Sequence, residues 1–135
     1  MFKNSVLGLI GAGSILCAGS ALADSTGEQE YLNACASCHG VAADGNGPLA
    51  ELMTVEVPPL TGLSQANDGK FPLLAVIQEI DGRQGTRGHG YPMPVWGKRF
   101  LAEAESHGLL KGVGTEVEVR GRVLSIAYYL ESIQN

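Results

Sequence analysis

The sequence predicts an all-α domain, on two apolar patterns and the absence of a third. Val119, Val123, Ile126, Leu130 and Ile133 step by four, three, four and three, which makes one buried face of a long C-terminal helix. Leu74, Ile77 and Ile80 repeat helical spacing inside the apolar segment Phe71 to Ile80, and Asp81-Gly82 supplies its stop. No strand alternation appears beside the segment Cys35 to His39. At 135 residues the chain is one domain long. Its 9 Lys+Arg against 14 Asp+Glu, a formal −5, exclude a surface built to hold nucleic acid, which takes a basic stripe. Aromatic residues make up only 6% of the chain, so a core of side chains alone would be short of large anchors.

The first element is a targeting segment. Lys3 is its positive end, Val6 to Ala18 its apolar run, and Ala21-Leu22-Ala23 the small-x-small pattern that signal peptidase reads. Residues 1–23 are therefore expected to be a signal peptide and 24–135 the mature domain, exported and soluble rather than held by an uncleaved anchor. Loss of Lys3 leaves eight cations against fourteen acidic groups, a net −6. Cys17 departs with the signal.

The two remaining cysteines stand in Cys35-Ala36-Ser37-Cys38-His39, the C-x-x-C-H spacing of covalent haem attachment. Two thiols one helical turn apart can add across the two vinyl groups on one porphyrin edge, and the adjacent imidazole is then held beneath the iron. A zinc site would need further ligands at recognisable spacing. A thioredoxin-like pair would need a βαβ pattern, and a plain disulfide leaves the histidine unexplained.

Through this motif, the chain from Asp24 to Asn135 resembles the class I cytochromes c, which implies three to four helices wrapped around one covalently attached haem c. Gly27, Tyr31 and Cys35, spaced four apart, belong to the helix that leads into the motif. The resemblance implies a proline whose carbonyl binds the second nitrogen of the proximal histidine. Pro48, in Asp44-Gly45-Asn46-Gly47-Pro48, is the matching position. It also implies an aromatic of the last helix against the first, with Tyr129 near Gly27 and Tyr31.

A closed electron carrier needs a second axial ligand opposite His39, and Met53, His89, Met93 and His107 are the choices. Met93, in Tyr91-Pro92-Met93-Pro94-Val95-Trp96-Gly97, lies downstream as the family's distal methionine does, on a segment stiffened by flanking prolines. His89, four residues earlier, is the rival. Met53 reads as a core residue, and His107 as a solvated residue after a short helix from Phe100 to Glu105. Trp96 is expected at the haem edge. Thr115 with Glu118 reads as a capping box opening the last helix, with Glu116 and Glu118 in its first turn.

A His39/Met93 pair leaves no open iron position, so the expected function is one-electron transfer without bond-making catalysis. Periplasmic redox proteins are the expected partners, reached either as a free shuttle or as the electron-accepting subunit of an exported dehydrogenase. Haem-based binding or sensing of a small ligand is the alternative, and requires a displaceable sixth ligand. Residues 68–99 carry a local excess of cations, and Arg83, Arg87, Lys98 and Arg99 are the candidate docking residues, with neutralisation of the haem propionates as the other use for some of them. A cofactor that fills an under-supplied interior also supplies folding energy. A Cys35→Ala, Cys38→Ala variant is therefore expected to lose its cooperative melt by circular dichroism; a native-like melt would contradict this.

Overall fold

The computed structural model of the chain describes residues 20–85, 93–107 and 112–135. Helix α1 runs over Ser20–Ala34, α2 over Ala36–His39, α3 over Leu73–Asp81, α4 over Trp96–Ser106 and α5 over Val113–Ser132. Two single 3-10 turns, Ala50–Leu52 and Gln65–Asn67, interrupt the long connection between α2 and α3. Among the described residues every regular element is helical. The signal segment lies almost wholly outside them, as do Arg87 and His89.

Helix α5 is the hub, packing on α1, α3 and α4. Its predicted face holds: Val119, Val123, Ile126 and Leu130 are buried, with Ile133 half-buried at the end. Its start differs from the expected one. The helix begins at Val113, after Gly112 with φ 65°, so Thr115 lies inside the first turn rather than capping it. The Thr115 hydroxyl is buried and donates to the Gly112 carbonyl (2.7 Å), which satisfies it without Glu118. Glu116 does lie in the first turn; Glu118 does not.

Helix α3 ends where Asp81-Gly82 placed its stop, with Gly82 left-handed (φ 65°) and its N–H on the Gln78 carbonyl. Its expected inward face holds at Ile77 and Ile80 and fails at Leu74. Val76 and Ile80 are buried, Leu73 and Ile77 pack beside them, and Leu74 is exposed. Positions 73, 76, 77 and 80 make the i, i+3, i+4, i+7 stripe, which leaves Leu74 on the far side. Helix α4 begins at Trp96, four residues before Phe100. Pro94 disfavours helical backbone at the preceding Met93, while Trp96 and Gly97 join the helix.

The first and last helices meet as the resemblance implied. The rings of Tyr31 and Tyr129 lie 5.3 Å apart, and the Tyr31 hydroxyl donates to the Gly40 carbonyl at 2.6 Å. Arg122 on α5 ties this pair to α4: its guanidinium reaches Glu30 on α1 (3.0 Å) and Glu103 on α4 (2.7 Å) and lies 3.8 Å from the Phe100 ring centre. Close approach of α1 to α5 depends on Gly27, where a Cβ would lie 2.8 Å from that of Tyr129 and against the Ser125 carbonyl. Gly27→Ala is therefore expected to force the helices apart and cost about 1–3 kcal/mol of stability. Urea denaturation of the mature protein measures it, and an unchanged midpoint would contradict the packing argument.

Candidate functional site

The Cys-x-x-Cys-His segment is one turn of helix. Cys35 closes α1 with its N–H on the Tyr31 carbonyl (2.7 Å), and its own carbonyl takes the N–H groups of Cys38 (3.1 Å) and His39 (2.9 Å). The two thiols and the imidazole thus share one rigid turn, with Cys35 buried and Cys38 and His39 half-buried. Both cysteines are free thiols. Burial, reinforced by Glu30 and Cys38, pushes the Cys35 thiol up to about 12. That is the opposite of what a disulfide-exchange thiolate requires.

The His39 Nδ1 lies 3.1 Å from the carbonyl oxygen of Pro58. As donor in that bond, the imidazole keeps its proton on Nδ1 and leaves the Nε2 lone pair free for a metal. Burial also lowers its pKa, favouring the neutral ring that ligation needs. The residue expected in this place, Pro48, does not take it. After Gly40 (φ 82°) the chain turns back on the motif, with Gly45 N–H on the His39 carbonyl, Gly47 on Cys38 and Leu49 on Ser37. Pro48 therefore sits exposed beside the backbone of the turn. Ten further residues carry the chain round to the imidazole, and Leu60 N–H closes the loop on the Ala43 carbonyl (2.8 Å). The role was legible and the residue was not; the only signal for Pro58 is Pro58-Pro59-Leu60 ahead of the next apolar segment.

Leu60, Leu63, Phe71, Leu73, Ile77, Met93 and Trp96 rest half-buried against the core. Paired thiols with no disulfide between them and an oriented neutral imidazole on one turn fit a haem, and part-open apolar side chains of this size suit contact with an apolar plate. Among the described residues no cluster of three His, Cys, Asp or Glu side chains can hold a bare metal ion.

Met93 packs against the core immediately before α4. Met53 is half-buried at the end of the first 3-10 turn, and His107 is exposed at the end of α4. Trp96 stacks on Phe100 with ring centres 5.4 Å apart, and the Arg99 guanidinium lies 5.3 Å from its ring centre. Lys98 and Arg99 are exposed, but Arg83 is not a free surface cation. It bridges Asp81 and Glu116, at 2.7 Å to each. Sequence reading missed this cluster because its members lie 33 residues apart.

A family model described as Cytochrome c matches residues 25–110. Neither a curated protein nor a solved structure matches the chain significantly.

Arg83, and after it Arg120, hold the Glu116 carboxyl down at about 2, against an ordinary 4.5. A depressed folded-state pKa stabilises the fold above the ordinary value, and that contribution is lost as pH falls from 4.5 toward 2. Relative to Glu116→Gln, the wild type should lose urea resistance across this window; parallel pH profiles would contradict the pairing.

Proposed function

Because the chain belongs to the cytochrome c family, whose work is haem-based electron transfer rather than catalysis, we propose that it is an exported, single-haem electron carrier between periplasmic redox proteins. When bound, the haem supplies a one-electron ferric/ferrous couple. Cys35 and Cys38 are the thioether positions, His39 the proximal ligand and Met93 the distal one. The observation that carries this reading is the His39–Pro58 hydrogen bond beside two cysteines of the same turn that form no disulfide. A histidine oriented through Nδ1 and flanked by attachment thiols is an arrangement for ligation, not for proton transfer.

The chain's own groups divide the work. Pro58 fixes the imidazole plane and makes Nε2 a better donor to iron. Met93 offers a neutral thioether, which favours the ferrous state and raises the reduction potential relative to a second imidazole. The half-buried apolar side chains exclude water, which disfavours the extra positive charge of the ferric state. Trp96 is assigned to the haem edge. One C-x-x-C-H in the sequence supports one haem, and the N-terminal apolar run with Ala21-Leu22-Ala23 supports export. No helix among the described residues is long and apolar enough to cross a membrane.

Docking to an acidic face of a redox partner is assigned to Lys98 and Arg99, exposed in the first turn of α4 just past Met93, with Arg87 added from the sequence. Arg83 leaves the proposed set, because its charge is already matched inside the domain. A free shuttle and a dedicated dehydrogenase subunit use the same site.

The optical spectrum tests the ligand set. The ferric protein should show the weak far-red band of an iron–sulfur bond, and the reduced protein should not take up carbon monoxide at neutral pH. Met93→Ala should abolish the band and permit carbon monoxide binding. A wild type that lacks the band and binds carbon monoxide would instead support haem-based ligand binding.

A further inference from the structure

Arg83 is engaged through its whole guanidinium. Nε and Nη2 donate to the two Asp81 oxygens at 2.8 and 2.7 Å, and Nη1 and Nη2 donate to the two Glu116 oxygens at 2.7 and 3.0 Å. Glu116 also accepts from Arg120 at 2.8 Å, so two acids and two bases form a charge-balanced cluster joining the end of α3 to the first turn of α5. Forked pairing of this kind fixes direction as well as distance.

Helix α4 is seated on this cluster by its first residues. A Cβ on Gly97 would lie 2.6 Å from Arg83 Nε and 2.7 Å from both the carbonyl and Oδ1 of Asp81. Two residues earlier, Val95 lies against Gly82, where a Cβ would approach its Cγ1 to 3.3 Å. Gly97 and Val95 are four and two residues after Met93. Pro94, between Met93 and Val95, has a fixed φ, so the backbone that joins the seated residues to Met93 is stiffened.

We propose that Arg83 is a positioning residue for the sixth iron ligand: by bridging Asp81 and Glu116 it builds the platform on which Val95 and Gly97 rest, and so holds Met93 in place. The inference rests on the assignment of Met93 as that ligand. Arg122 provides the matched comparison. It is equally part-buried and also pairs with two carboxylates, but it joins α1, α4 and α5 through Glu30 and Glu103.

The test uses the haem-loaded protein as wild type, Arg83→Gln, Arg83→Lys and Arg122→Gln. The far-red band of the ferric form and the helical circular dichroism are followed together in urea. In Arg83→Gln the band should vanish at clearly lower urea than helicity, and the reduced protein should take up carbon monoxide on the order of tenfold faster than wild type. Arg83→Lys, one charge without the fork, should fall between. Arg122→Gln should shift both signals down together. If Arg83→Gln does not fold, Glu116→Gln, which removes one arm of the bridge, gives the same reading. Coincident loss of band and helicity in the Arg83 variants, with unchanged carbon monoxide uptake, would overturn the inference while leaving the Met93 assignment intact. A wild type without the band would refute the assignment itself, and the inference with it.

Discussion

The bond from His39 Nδ1 to the Pro58 carbonyl is the contact on which the rest of the site depends, and much of the chain is arranged around it. A loop of nineteen positions separates the two residues and must end with one carbonyl facing one ring nitrogen. It is fixed in stages. Tyr31, buried on α1, holds the Gly40 carbonyl where the loop begins, and Leu60 binds Ala43 where it returns. Gln134, next to the C-terminus, donates to the Leu60 carbonyl (2.8 Å) and accepts from Ser64 N–H (2.9 Å). The loop beneath the imidazole is thereby tied to both terminal helices, and the ligand's orientation becomes a property of the whole fold.

Two arginines do the same for the remaining helices, one on each side of α5. Arg122 joins α1 to α4 and lies over Phe100; Arg83 joins α3 to α5 beneath the start of α4. Each pairs with two carboxylates and is only part-exposed, so the cost of removing its water is offset by several oriented hydrogen bonds rather than one. Pairs open to solvent on their carboxylate side add only modest stability. Their larger effect is geometric, since they decide which residues sit against which. An overall acidic chain therefore still places its few buried-side cations where helices must be held in register.

Much of this was legible in the residues. Periodicity alone located α3 and α5, and the face of α5 was right because five residues at helical spacing leave little choice of phase. On α3 Ile77 and Ile80 were placed correctly, but with so few residues the first position stayed open, and the packing took in Leu73 and Val76 instead of Leu74. The attachment motif was read directly, because its chemistry requires those residue types at that spacing. The partner of His39 was not: a backbone carbonyl carries no side-chain signature, and the loop's reversal places Pro58, rather than the nearer Pro48, against the ring. Thr115 failed as a cap for a related reason, since a glycine at 112 let the helix start early enough to bury it. The Arg83 cluster joins distant parts of the chain through long side chains, and local pattern is blind to such contacts.

Attachment of the haem through Cys35 and Cys38 is read out by mass spectrometry of the mature protein. Proteolysis should yield a peptide spanning Cys35 to His39 that carries the added mass of one haem bound through two thioethers, with neither thiol open to alkylation. A peptide without added mass, with both cysteines alkylated or joined to each other, would contradict this attachment and with it the function proposed for the site.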